Sequence, residues 1–157
     1  MKMKEGTIFK RILKLVKKLA LVVYKVLNLT KTKSVYDPVD LESDGFRILI
    51  MRKWPRGIGY KKHSIHKWSK ELGPSRQLDK WNRNEIAWGD YVTQYSAEQL
   101  WSVAAKIETE SIAKTSKHKT VTLLCKEREN DPHCHRHILK NIVNRIANKS
   151  RTRRLPR

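Results

Sequence analysis

The chain has 157 residues, of which 39% are hydrophobic and 32% charged, and it carries a formal charge of +20 at pH 7. That length fits one domain able to bury a real core, but the charge is far outside what an ordinary soluble enzyme needs. Two cysteines, Cys125 and Cys134, exclude a disulfide framework and point to a reducing, cytoplasmic compartment.

The charge is concentrated at the ends. Residues 1–34 hold ten Lys/Arg against Glu5, and residues 136–157 hold eight with no acid, which leaves the middle close to neutral. Ends of this kind attract polyanions by releasing their counterions, so nucleic acid or an anionic membrane surface is an expected partner. A basic protein that is merely soluble, or adapted to heat, is the plainer alternative.

In chain order, residues 8–29 read as a helix. Ile8, Ile12, Leu15, Leu19, Val22, Val26 and Leu29 recur at alternating steps of four and three, while Lys10, Arg11, Lys14, Lys17, Lys18 and Lys25 fall on the other side. Such a helix can pack on its own domain, pair with another chain or lie on an anionic membrane. It is neither a signal peptide nor a membrane span, because its longest apolar run, Leu19 to Tyr24, stops at Lys25 with no small-residue cleavage site.

Thr30, Thr32 and Val35 alternate with polar residues, predicting a strand over 29–36 that stops before Asp37-Pro38. Asp44-Gly45 signals a turn, and Phe46 to Met51 is an apolar run suited to a buried strand. Ser64 and Ser75 are read as N-caps of two short helices separated by Pro74. One longer helix is predicted from Trp88 to Ile107, with Trp88, Tyr91, Val92 and Tyr95 as a core stripe. Val121 to Cys125 is a second buried strand. Asp131-Pro132 then caps a helix from Pro132 to Asn148 that buries Ile138, Ile142, Val143 and Ile146. Strands separated by helices imply parallel crossovers, hence a small layered α/β domain with a short, mostly parallel sheet. The expected divisions are a basic helical extension over 1–30, the α/β domain over 31–148 and a disordered basic tail over 149–157.

Several separated motifs carry a resemblance. Tyr36-Asp37-Pro38, Asp44-Gly45-Phe46-Arg47, Arg52, Trp54-Pro55-Arg56-Gly57, Leu72-Gly73-Pro74-Ser75 and Thr122-Leu123-Leu124-Cys125 follow one order, over roughly residues 33–145. In this the chain resembles the YeaO-like family, domain of unknown function 488, in its Cys-His-Arg variant, seen here as Cys134-His135-Arg136. The resemblance implies a compact α/β fold and no particular mechanism. The first 30 residues and the arginine-rich tail depart from the simpler members.

In an open parallel sheet, ligands bind beyond the carboxyl ends of the strands. Two motifs are predicted there: Arg52, Trp54, Arg56 and Gly57 after the first apolar strand, and Glu127, Cys134, His135 and Arg136 after the second. If the strands are neighbours, these motifs share a cleft. Arg47, Arg52, Arg56 and Arg136, with Gly57 allowing close backbone approach, suit a phosphorylated small molecule or nucleotide. Cys134, in the first turn of a helix beside His135 and Arg136, is in a setting that lowers a thiol pKa, which makes it a candidate nucleophile with Glu127 and His135 as acid–base groups. A small buried cysteine with no chemistry is the alternative, and Trp54-Pro55-Arg56-Gly57 can equally be a structural loop with Arg56 paired to Asp37 or Asp44.

No metal and no cofactor is expected. His133, Cys134, His135 and His137, with Cys125, invite a metal, but neighbours on a helix point to different faces and only His133 and His137 share one. Glu127 alone reads as an ion-pair partner of Arg128 or Arg136. The competing function is nucleic-acid binding through Lys61, Lys62, Lys67, Lys70, Arg76, Lys80 and Arg83, with Arg151, Arg153 and Arg154 of the tail and Trp68 and Trp81 as stacking surfaces. Its warrant is charge alone, since no recognised nucleic-acid motif is present. Peripheral attachment to an anionic membrane through residues 8–29 is a third reading.

Overall fold

The computed structural model describes residues 9–19 and 30–152. Four strands, β1 (Thr30–Ser34), β2 (Phe46–Leu49), β3 (Lys67–Trp68) and β4 (Val121–Cys125), form one sheet. The strand order is β1-β4-β2-β3, and every pairing is parallel. The α/β expectation is therefore met, and the two apolar runs are neighbouring strands, with Ile48 opposite Leu123.

Side chains alternate across the pleat and build two cores. Ile48 of the second strand and Ile50 just beyond its end, with Val121 and Leu123 of the fourth, pack under α3 (Trp88–Trp101), α4 (Val103–Thr115) and α5 (His135–Thr152), where Tyr95, Ile112, Leu139 and Val143 close the layer. Leu49 and Leu124 point the other way and meet Val35, Met51, Trp54, Ile58 and Ile65. One face of the sheet is thus covered by helices and the other by the loop after β2. That loop is pinned by Trp54, which donates to the Ile58 carbonyl at 2.8 Å and stacks on Tyr60.

Between β1 and β2 lies the short helix α2 (Leu41–Asp44), capped by Asp40, which accepts from the Ser43 amide. Gly45 follows with φ +62°, and a Cβ there would stand 2.4 Å from the Thr120 carbonyl oxygen. That oxygen accepts the Phe46 amide at 2.8 Å, the contact that starts the β2–β4 pairing, so the predicted turn is also a glycine-only approach.

Several boundaries differ from expectation. Ser64 caps nothing and sits in a turn with φ +48°. The two-residue strand β3 follows it, too short to leave a pattern. Ser75 precedes the 3-10 segment Arg76–Arg83, but its hydroxyl bonds Glu98 rather than a helix amide. The long helix from Trp88 is broken at Ser102, whose extended backbone (φ −75°, ψ 118°) ends α3 while its hydroxyl accepts the Ala105 amide and starts α4.

Residues 9–19 form α1, in which every residue is exposed, including Phe9, Ile12, Leu13, Leu15, Val16 and Leu19. The remainder of the predicted 8–29 helix, and residues 153–157 of the predicted tail, lie outside the described residues, whereas residues 149–152, expected to be disordered, continue the helix α5 (His135–Thr152). Among the described residues no helix is long and apolar enough to cross a membrane.

Candidate functional site

Where β2 and β4 end, a cleft of about 230 Å³ opens between Met51–Lys53, the 3-10 segment, Cys125–Glu127 and the start of α5. Its position follows from the topology, because neighbouring parallel strands release their chains in the same direction. Cys125 is the last residue of β4, and Cys134 and His135 stand at the amino end of α5. All three are buried.

The helix begins later than predicted. Asp131 does accept a neighbouring amide, that of His133 at 2.8 Å, but it closes a turn, and α5 starts only at His135. Cys134 therefore sits on the turn before the helix. Its side chain is not displaced by a helical step from that of His135, and both converge on Cys125. Nδ1 of His135 is 3.8 Å from each sulfur, and Nε2 lies 2.7 Å from the Ile50 carbonyl oxygen, to which it donates. Oε2 of Glu127 faces the same pair, 2.5 Å from the Cys125 sulfur and 3.6 Å from that of Cys134. The spacing argument against a shared site fails because it assumed a helix through residues that form a turn.

Electrostatically the cluster also differs from expectation. The hydrogen bond with Cys125, and then burial, push the Cys134 thiol well above its ordinary range, and His135 pulls back less strongly. The anticipated low-pKa thiol is replaced by one that holds its proton. Burial is the largest influence on His135 and lowers its pKa, but the Cys134 hydrogen bond and charge, the Ile50 carbonyl and Glu127 together raise it on balance.

Aromatic rings wall the cleft. Trp88 stacks on Tyr91 with centroids 5.0 Å apart, Trp81 tilts against both, and Tyr95 meets the edge of His135 at 5.6 Å. Tyr95 is core, donating its hydroxyl to the Leu72 carbonyl at 2.7 Å, whereas Tyr91 and Trp81 line the cleft. His133 lies against Trp81 and Trp88, while His137 bonds the Asp131 carbonyl, so these two histidines do not form a pair.

The arginines divide. Arg52 lines the cleft, held by the Pro74 carbonyl at 2.7 Å and by Asp79 at 3.1 Å. The segment sits directly on Gly73, where a Cβ would be 2.1 Å from the Arg52 amide nitrogen. Arg56 is exposed and outside the cleft, and Gly57 provides a left-handed turn (φ +75°) with open space around it rather than a ligand cradle. Arg47 is fully buried and paired with Asp44, whose other partner is Lys33 at 3.1 Å, so it cannot receive an anion. Arg136 is equally buried. Its guanidinium donates to the carbonyls of Glu127 at 2.7 Å, Arg128, and Glu129 at 3.2 Å. It builds the loop that carries Glu127 instead of binding a ligand, and the expected Glu127–Arg136 ion pair is a backbone contact.

Of the lysines assigned to nucleic acid, Lys61, Lys62 and Lys70 are exposed, and Lys67 is committed to Glu108 at 2.6 Å. Trp68 donates to the Met51 carbonyl at 2.7 Å and abuts Trp54. The side chains of Arg151, Arg153 and Arg154 lie outside the described residues. Lys53 and Lys126, both exposed on the cleft's rim, and Asp79 and Tyr91 on its walls were not singled out as site residues in the sequence, and Trp81, expected as a stacking surface for nucleic acid, lines the cleft instead. Lys53 and Lys126 follow directly on the two motifs at the strand ends and were legible by that rule, whereas Asp79 and Trp81 enter from a segment without strand or helix periodicity.

A family model described as "DUF488-N3a: Active DUF488-N3 subclade" matches residues 30–147. The chain belongs to this family. It is similar to "Uncharacterized protein YeaO" of Escherichia coli (strain K12), with 40% identity over 94 residues, or 59% of this chain and 77% of that protein. It is also similar to "Uncharacterized protein Rv3073c" of Mycobacterium tuberculosis (strain ATCC 25618 / H37Rv), with 31% identity over 88 residues, covering 56% and 74%. No solved structure matches the chain. The family match spans every residue of the cleft, from Met51 to His135.

Proposed function

We propose that the protein binds and acts on a phosphorylated small molecule or nucleotide in the cleft beyond β2 and β4. The observation that carries this reading is the meeting of two chemistries: Arg52, Lys53 and Lys126 at the rim, and the buried Cys125, Cys134 and His135 with the half-buried Glu127 below it. The rim cations supply charge and directed donors for phosphate, and the half-buried Trp81 on the wall suits a flat ring. The floor groups supply sulfur, imidazole and carboxylate for the reacting end.

The test is equilibrium binding to a panel of nucleotides, sugar phosphates and inorganic phosphate. Arg52→Ala should weaken the bound member by about tenfold or more, since a charged hydrogen bond contributes roughly 1.5–3 kcal/mol. Arg56→Ala should leave it unchanged. Equal losses in both variants, or no binding across the panel, would sink the reading.

The second reading, nucleic-acid binding, is supported by the exposed Lys10, Lys14, Lys17 and Lys18 of α1. It predicts affinity for any duplex or single strand that falls steeply with salt and survives Arg52→Ala.

A further inference from the structure

Three ligand types meet at the cleft floor. One donor atom from each of Cys125, Cys134 and His135 lies within 4.8 Å of the others, and all three side chains are buried. They come from the end of β4 and the turn before α5, and their positions are fixed by the sheet, the helix and the Arg136-pinned loop between them. The Glu127 carboxylate faces both sulfurs and borders the cleft. We propose that Cys125, Cys134, His135 and Glu127 form a binding site for a divalent transition metal of zinc type.

The distances from His135 to the sulfurs suit it, while Glu127, 2.5 Å from the Cys125 sulfur, has to withdraw by about 1 Å to join the shell. Zinc binds sulfur at about 2.3 Å and imidazole nitrogen at about 2.0–2.1 Å, so corners of a tetrahedral shell stand about 3.5–3.8 Å apart. The observed separation of Nδ1 from each sulfur, 3.8 Å, is of that size. Nε2–H donates to the Ile50 carbonyl and so leaves Nδ1, 3.8 Å from each sulfur, as the free donor atom, although the Cys125 sulfur lies equally near Nε2. A metal-bound histidine characteristically has such a partner on its other nitrogen.

On binding, each thiol releases its proton to solvent and both sulfurs bond the ion as thiolates, with Nδ1 of His135 as third ligand and Glu127 on the side open to the cleft. Two thiolates and an imidazole from soft donors select zinc, cobalt or iron over magnesium and calcium. Glu127 takes the fourth position, at the edge of the cleft. The site does not depend on the ligand proposed above, and metal binding without phosphate-compound binding would uphold this inference and not that one.

The experiment is titration of the full, reduced, metal-free chain with Co2+, followed by displacement with Zn2+. The expected result is a stoichiometric complex with intense thiolate-to-cobalt charge-transfer absorption and strong tetrahedral ligand-field bands, both lost on adding Zn2+. Cys134→Ser should weaken binding by more than about 100-fold, exceeding the effect of losing an outer-shell partner, and His137→Ala should leave it intact. Should Cys134→Ser fail to fold, the wild-type chain gives the answer: Zn2+ should protect both cysteines from alkylation. A weak octahedral cobalt spectrum, or alkylation of Cys125 and Cys134 at the same rate with and without Zn2+, overturns the proposal.

Discussion

Arg136 shows how a single side chain can be mistaken for a binding group. Its charge suggested an anion, but both terminal nitrogens of its guanidinium are spent on the carbonyls of residues 127–129, and only the buried Nε has no partner. Replacing it with lysine keeps the charge and loses the planar fork, so chemical denaturation of Arg136→Lys should show a loss of about 2 kcal/mol. Arg136→Ala should lose about 3 kcal/mol or more, because the carbonyls are then left unpaired. Tyr95 supports a different test. Burial raises its phenol pKa well above the ordinary 10.0, so the folded chain keeps a proton that the unfolded chain releases. Its contribution is fully present below pH 10 and is lost as pH rises beyond it, at roughly 1.4 kcal/mol per pH unit for one group. Tyr95→Phe should cost about 1 kcal/mol at neutral pH through the lost Leu72 bond, yet flatten the alkaline slope of stability.

Elements were readable in proportion to their periodicity. Val121–Cys125 and Phe46–Leu49 announced themselves as apolar runs, and their partnership followed from the parallel-crossover rule. The break at Ser102 was hidden, because no proline or glycine marks it and the cap is one hydroxyl. Ser102→Ala should cost about 1 kcal/mol in thermal or urea unfolding. The cleft was legible as a location, since both motifs were placed at strand ends. Its membership was not: whether Arg52 or Arg56 faced inward depended on the turn at Gly57 and on Gly73 pressing beneath Arg52. Gly73→Ala should therefore destabilise the fold by about 1–3 kcal/mol through overpacking, and should displace Arg52 visibly in a crystal structure of the variant.

At the scale of the molecule, the charge and the core are separate. The two hydrophobic clusters use no residue of α1, all of whose described side chains face solvent. Removing residues 1–19 should change stability by no more than about 0.5 kcal/mol, as for surface changes generally, while lowering the salt dependence of any polyanion binding. A drop in melting temperature of several degrees on that deletion would show that the amino-terminal residues belong to the fold.

The bond from His135 to the Ile50 carbonyl ties the cleft floor to the backbone of the sheet. The amide of Met51 shares that carbonyl's peptide plane, so its nitrogen and proton feel any change in the imidazole's donation. In a nuclear magnetic resonance spectrum, the Met51 amide thus becomes a native reporter of events on the cleft floor. Its signal should shift whenever His135 changes state, while that of Phe46, at the opposite end of the same strand, should stand still.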